Sequence, residues 1–178
     1  MKRRHLYGIS LAIALFSNII FQAVSLAKPQ KPCSASDLVF YIDNKESYFT
    51  GMSHSGVLLA LHNTSSKACT IPARAILDFE DTSHHPLPIS LQTTMGLNPG
   101  PVILPLTLPA GAWAISQMRW VSSEVYDKSV CLSPAFITIA IGHEILRTPF
   151  RGTLCGSAEK NPSYTLTFFR LDPTYIHK

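Results

Sequence analysis

The chain of 178 residues carries 15 Lys and Arg, 11 Asp and Glu, 13 Pro and 4 Cys, and 46% of its residues are hydrophobic. This composition excludes an intrinsically disordered or collagen-like chain. The first 27 residues hold three basic residues and no acidic one, so the remainder carries 12 basic against 11 acidic residues, a net charge of +1. A charge this close to zero argues against nucleic-acid binding, which requires a surplus of Lys and Arg.

The amino-terminal segment has the pattern of a secretory signal peptide. Basic residues at positions 2 to 4 precede an apolar stretch, Leu6–Ala27, which closes with small residues at Ser25 and Ala27. Small residues at these positions are what signal peptidase requires, so we expect a signal peptide over residues 1–27 and cleavage after Ala27. An uncleaved anchor is the alternative, since about 20 apolar residues span a bilayer. Cleavage predicts an exported, periplasmic or extracellular protein with no membrane span.

The exported part consists of short apolar runs separated by turn residues. No stretch keeps a 3.6-residue apolar repeat for three helical turns, and Pro recurs from Pro72 to Pro173, which interrupts helices. Six to eight short strands predict an all-β sandwich, formed as a single domain over residues 28–178. Residues Asp81 to Pro109 form the least regular stretch and predict a long connection with one or two edge strands. The main strand candidates, in chain order, are Leu38–Ile42, Val57–Leu61, Ala73–Phe79, Trp113–Trp120, Phe136–Ile141 and Tyr164–Leu171.

The Trp113–Trp120 run predicts which side chains share a sheet face. Successive side chains of a strand point to opposite faces. One face of this strand therefore holds Trp113, Ile115 and Gln117, and the other holds Ala114, Ser116, Met118 and Trp120.

All four cysteines lie in the exported part: Cys33, Cys69, Cys131 and Cys155. An even number of cysteines in an oxidising compartment predicts two disulfides. Three pairings are possible, and we favour Cys33–Cys69 with Cys131–Cys155, because each pair then closes a modest loop between neighbouring elements. A zinc site would need close pairs such as Cys-x-x-Cys, and no two of these cysteines are closer than 24 positions.

Several segments together resemble a secreted bacterial family, the domain of unknown function 4232. The resemblance covers Cys33 to Leu171 and implies an immunoglobulin-like antiparallel β-sandwich, but it implies no activity. The residues from Thr82 to Leu104 form a longer insertion than the family pattern has. The segments that carry the resemblance are Cys33–Leu38, Gly56–Thr70, Leu108–Ala114, Met118–Trp120, Cys131 with the strand after it, and Thr153–Cys155.

Histidines and methionines raise one metal hypothesis. Thioether and imidazole groups suit copper, so a periplasmic copper-binding protein is the alternative function. Its candidate ligands are Met52 and His54 in one loop and the adjacent pair His84 and His85 in the long connection. Adjacent histidines on a strand point to opposite faces, which argues against a shared ion.

The sequence predicts no catalytic centre and no cofactor. The stretch Met52–Gly56 approaches the Gly-x-Ser-x-Gly pattern of serine hydrolases, but it has no glycine directly before Met52 and precedes a strand. The carboxylates Asp78, Glu80 and Asp81 end a strand, where a solvated cluster is expected. A small hydrolase is therefore the third and weakest hypothesis.

The leading hypothesis is a non-enzymatic binding or structural module of the bacterial envelope or exterior, acting on an unknown ligand or protein. Phe168 and Phe169 are adjacent, so one ring must point away from the sheet's inner face. That ring, or Tyr175 beyond the last strand, is the predicted partner surface. The Asp81–Pro109 connection is the first place to look for binding, because loops carry function on sandwiches.

Overall fold

The computed structural model describes residues 30–45, 49–92 and 102–175. The predicted signal peptide, residues 1–27, lies outside these ranges. Within them the protein is almost entirely β, with a short 3-10 helix at Ala35–Asp37. The strands are β1 (Leu38–Asp43), β2 (His54–Asn63), β3 (Cys69–Ile71), β4 (Leu77–Glu80), β5 (Ser90–Leu91), β6 (Leu106–Leu108), β7 (Trp113–Val121), β8 (Ser129–Leu132), β9 (Phe136–Ile141), β10 (Glu144–Pro149), β11 (Leu154–Ser157), β12 (Ser163–Leu166) and β13 (Arg170–Leu171).

The described strands form two main sheets. The larger has six strands in the order β1-β2-β7-β12-β5, with β13 also paired to β7. The smaller has the order β10-β9-β4, and two short pairs, β11-β8 and β3-β6, complete the set. All pairs are antiparallel except β5 with β12. The predicted all-β, antiparallel architecture is confirmed, while its immunoglobulin-like character stays a prediction.

One apolar core joins the two main sheets. Inward residues of β2 and β7, such as Leu59 and Met118, belong to the same buried cluster as Phe79 of β4 and Ile137 of β9. Each such side chain contributes about 1.5–3 kcal/mol through removal from water. The face prediction for β7 is confirmed, because Ala114, Met118 and Trp120 lie in this core.

Several strands differ from their predicted bounds. The Ala73–Phe79 strand is wrong in its first half, since β4 begins only at Leu77. The predicted Tyr164–Leu171 strand divides into β12 and β13. Between them the Phe169 N–H donates to the carbonyl of Ala73 and not to β7, which interrupts the pairing. The long connection contributes β5 and β6, as expected, but its residues 93–101 lie outside the described ranges. The short strands β3, β8, β10 and β11 were not predicted.

Both disulfides form in the favoured pairing. Cys33 bonds Cys69, which ties the chain before the 3-10 helix to β3, with an S–S distance of 2.06 Å. Cys131 and Cys155 face each other across β8 and β11. No cysteine is free.

A single buried amide joins two turns of the fold. The Asn63 side chain, 0% exposed, donates from Nδ2 to the carbonyls of Lys67 at 2.8 Å, Leu108 at 3.0 Å and Pro109 at 3.0 Å. Its Oδ1 accepts from the backbone N–H of Ser65 at 3.0 Å and from the Ser65 hydroxyl at 2.8 Å. The turn after β2 and the turn before β7 are therefore fixed to each other.

Candidate functional site

The outer face of the large sheet carries a second apolar cluster. Leu58 and Ala60 of β2 and Ile115 of β7 point away from the main core and are buried together with Tyr175. Trp113 lies at the edge of the same cluster, as the predicted face of β7 requires. A sheet that is apolar on both faces needs other parts of the protein to cover each face.

The carboxyl-terminal segment covers one end of this face. The Tyr175 ring lies 5.0 Å from the Trp113 ring, and its hydroxyl donates to Asp43 Oδ2 at 3.1 Å. Burial alone raises the pKa of Asp43, but bonds from Lys45 and from the Tyr175 hydroxyl outweigh burial and lower it. Burial, together with the Asp43 charge, raises the pKa of Tyr175. The neutral Tyr175 hydroxyl therefore donates to a charged Asp43 carboxylate, and this bond holds Tyr175 on the sheet.

The same face carries a groove of about 660 Å³, which we call the sheet-face groove. Its floor contains Leu58 and Ile115, which are neighbours on β2 and β7. This volume falls in the range of small-molecule sites, about 300–1,000 Å³. The described residues that line it are Lys45, Phe49, Leu58, Ile115, Gln117, Thr167, Phe168, Arg170 and Asp172.

Phe49 forms one wall because Gly56 leaves room for it on the sheet. A Cβ added at Gly56 would lie 2.9 Å from Phe49 Cβ and 2.8 Å from the Met118 carbonyl oxygen. Contacts below 3.0 Å force a shift, and here one of the two neighbours is backbone. Because Gly56 has no side chain, Phe49 can lie directly against β2.

Phe168 forms the opposite wall. Its ring is 47% exposed, whereas Phe169 is 6% exposed and lies in the main core. The Arg74 guanidinium lies 5.5 Å from the Phe168 ring centroid, an arrangement that attracts a cation to an aromatic face.

Two cations border the groove, and each is paired with a carboxylate. Lys45 lies with φ +47°, in the left-handed region, where its N–H donates to Asp43 Oδ1 at 2.7 Å. Its Nζ lies 3.2 Å from Asp43 Oδ2 and 4.6 Å from the Tyr175 ring centroid. Across the floor, Arg170 Nη1 lies 3.8 Å from Asp172 Oδ2. The strained turn at Lys45 thus holds an ammonium group beside an apolar floor.

The carboxylate of Asp172 lies at the border of the groove. It accepts from the Thr174 hydroxyl at 2.7 Å and from the Thr174 N–H at 3.0 Å. The Thr174 bonds are the main reason that the pKa of Asp172 lies below its usual value. This carboxylate is therefore a charged turn residue, with its hydrogen-bonding capacity already used in part.

The predicted partner residues separate in the structure. Phe168 is the outward ring, as the adjacency of the two phenylalanines requires, and it borders the groove. Phe169 and Tyr175, each 6% exposed, are buried and present no surface to a partner. Tyr175 covers the sheet because its hydroxyl finds an acceptor in Asp43, a pairing that the sequence does not reveal.

The alternative metal ligands lie on different sheets. Met52 is fully exposed and precedes β2, and His54 Nδ1 lies 3.0 Å from the Ser53 hydroxyl. Beyond β4, His84 Nδ1 lies 3.1 Å from Glu80 and His85 Nδ1 lies 3.4 Å from Asp81. The structure gathers no group of three or more His, Cys, Asp or Glu side chains around a possible ion in the ranges it describes.

The other residues that the sequence offered for catalysis form hydrogen bonds or ion pairs with neighbouring side chains. Arg147 binds both carboxylate oxygens of Glu80, at 2.7 Å and 3.0 Å, and this bonding lowers the pKa of Glu80. Ser53 and His54 contact each other, but no carboxylate in the described ranges hydrogen-bonds to His54. Glu80 therefore belongs to an ion pair, and Asp81 accepts from N–H groups of a turn, whereas a solvated cluster was expected.

Together these features define a class: a disulfide-linked, all-β protein whose outer sheet face carries an open groove. Residues 33–166 match the profile of the family described as "Domain of unknown function (DUF4232)". This match extends over most of the chain, so the protein belongs to that family, and the resemblance seen in the sequence is confirmed. No curated protein and no solved structure matches the chain. None of the described residues forms a helix long and apolar enough to cross a membrane.

Proposed function

We propose that the protein is an exported, non-enzymatic binding module and that the sheet-face groove is its binding site. The observation that carries the proposal is the groove of about 660 Å³ on the outer face of the large sheet. Leu58 and Ile115 lie beneath it and are 8% and 3% exposed, while Phe168 at its border is 47% exposed. A concave surface with an apolar lining and a few charged residues at its border is the usual composition of a ligand site.

Export rests on the signal-peptide pattern and on the chemistry of the disulfides. Two disulfides with no free cysteine fit an oxidising environment. We propose a periplasmic or extracellular location and a mature chain that begins at Lys28. Mass measurement of the protein recovered from culture medium or periplasm tests this directly, because retention of residues 1–27 would support the membrane-anchor alternative.

The binding proposal is tested by native mass spectrometry of the protein isolated from its own cells. We expect a noncovalent adduct on the wild type that is lost in Gln117→Trp, because the indole would fill the groove. Ala140→Trp is the matched control, since Ala140 is an exposed position of β9 on the other sheet. An adduct that persists in Gln117→Trp, or is lost equally in both variants, would place binding elsewhere.

A further inference from the structure

We infer that β8 is an interaction edge, at which two copies of this chain join by antiparallel pairing of β8 with β8. This inference is independent of the proposed function, because none of the described residues that line the sheet-face groove belongs to β8 or to its partner strand β11. The argument for it comes from the backbone groups of β8, from its residue types and from the order of its side chains.

The backbone of β8 pairs with β11 on one side only. The Ala158 N–H donates to the carbonyl of Lys128 at 2.7 Å, so these two residues form a hydrogen-bonded pair at the start of the ladder. Hydrogen-bonded and non-hydrogen-bonded pairs alternate along an antiparallel ladder. Val130 therefore bonds to β11, whereas Ser129 and Cys131 direct their N–H and C=O groups away from it. Within the part of the chain that the structure describes, these outward groups have no hydrogen-bond partner.

The β8 edge lacks the features by which proteins protect edge strands. Prolines, lysines and bulges on an edge prevent its pairing with another chain. The strand Ser129–Leu132 has the sequence Ser-Val-Cys-Leu, without charge and without proline. By contrast, the edge strand β6 lies between Pro105 and Pro109. The disulfide of Cys131 with Cys155 holds β8 on β11, so the unprotected edge is presented in a fixed conformation.

A second copy satisfies all of the outward groups. The Ser133 hydroxyl lies 2.9 Å from the Thr153 hydroxyl, so the register of the ladder continues to Ser133, whose backbone groups also point outward. Antiparallel pairing about a two-fold axis sets Cys131 opposite its own copy, and Ser129 opposite Ser133 of the second copy. Each facing pair exchanges two backbone hydrogen bonds, which gives about six across the interface.

The side chains of β8 match under the same symmetry. Val130 comes to lie opposite Leu132 of the second copy, so an apolar side chain faces an apolar one and no charge is buried. In the single chain Val130 is 41% exposed, because its neighbour on β11 is Gly156, which has no side chain to cover it. The turn before β8 adds two further exposed apolar side chains, Val125 and Tyr126. Apolar groups beside an open edge mark a protein interface, and the match of β8 with itself favours a second copy.

Sedimentation-velocity ultracentrifugation of the mature, disulfide-intact protein tests the dimer. We expect a monomer at about 3 μM and a dimer at about 300 μM, because a pairing this short buries less than the roughly 1,200 Å² of a standard interface. Val130→Lys should weaken the dimer about tenfold or more, because it sets an ammonium group opposite Leu132 in both halves of the interface. Ile145→Lys is the matched control, since Ile145 is also exposed and also lies on an edge strand, β10, and its substitution should leave the dimer unchanged.

Amide hydrogen exchange, resolved to single residues by mass spectrometry, locates the contact in the wild type. The Cys131 N–H should exchange slowly at the higher concentration and rapidly at the lower one. The Val130 N–H, which bonds within the chain, should exchange slowly at both and is the internal control.

The inference is overturned by a monomer at the higher concentration, by a dimer that Val130→Lys leaves intact, or by a dimer that both lysine variants weaken equally. A Cys131 exchange rate that does not change with concentration also overturns it, because the contact would then lie elsewhere. If the Cys131 N–H becomes protected only on addition of envelope extract while the protein stays monomeric, the edge binds a strand of another protein and self-pairing is wrong.

Discussion

The Asn63→Ala substitution tests whether one buried amide holds two turns of the fold together. The amide connects the turn after β2 with the turn before β7, through the carbonyls of Leu108 and Pro109. These are the two segments that carry much of the family resemblance. Its removal is expected to loosen both without changing the apolar core.

The expected loss follows from the bonds in the structure. Asn63 makes three contacts from Nδ2 and two to Oδ1. The two amide hydrogens must share the three carbonyls, so about four full bonds are lost. At about 1 kcal/mol each, Asn63→Ala should lower the free energy of unfolding by about 3–5 kcal/mol. Water cannot replace the amide readily, because the site is fully buried.

The assay is equilibrium urea unfolding of the disulfide-intact protein at pH 7. Asn161→Ala provides the control, because Asn161 is exposed and its loss should change stability by less than about 0.5 kcal/mol. Asn63→Asp sharpens the test, since a charged carboxylate would face three carbonyls and the loss should be smaller at pH 4 than at pH 7. A loss below about 1 kcal/mol for Asn63→Ala would refute the reasoning.

Three further predictions concern pH, the groove and the disulfides. Burial, followed by the Asp78 charge, raises the pKa of Tyr164 to about 12. The neutral Tyr164 hydroxyl therefore contributes its full stabilisation below about pH 10, and this contribution is lost as the pH rises towards 12. Tyr164→Phe should accordingly flatten a plot of urea midpoint against pH between 10 and 12. Gly56→Val should displace Phe49, because the new Cβ would lie 2.9 Å from its Cβ, and loss of the Gln117-sensitive adduct is the readout; an unchanged adduct would contradict the assignment of that wall. Removal of one disulfide by Cys33→Ala/Cys69→Ala should cost about 3–4 kcal/mol in urea unfolding, and thiol titration of the denatured, unreduced wild type should find no free thiol.

Strand periodicity predicted the faces of the large sheet correctly. The alternation from Trp113 to Trp120 placed Ile115 opposite Met118, and the structure puts Ile115 in the outer cluster and Met118 in the core. Period-two patterns succeed here because the strand is central and long, so each side chain has a fixed face. In the turn before β7, Gly111 has φ +70°, a conformation that glycine adopts without steric cost.

The last strand shows where periodicity stops being informative. Between the pairs Leu166–Met118 and Arg170–Ile115, three residues on one side oppose two on the other. The extra residue is a bulge, which resets the alternation so that Phe168 faces outward and Phe169 inward. Adjacency alone predicted one outward ring, but the choice between them depends on the Phe169 N–H donating to Ala73, a contact distant in sequence.

The sheet-face groove was not predicted because no local pattern encodes it. Its floor comes from two strands, but its walls require the Phe49 ring on Gly56 and the bulge at Phe168. Its far boundary exists only because Tyr175 finds Asp43 and stops over Trp113. Leu58 and Ile115 beneath the groove are 8% and 3% exposed, so folding alone already removes the floor from water. The border of the groove stays accessible, since Phe168 is 47% exposed, and this border is where we propose that a ligand makes its contacts.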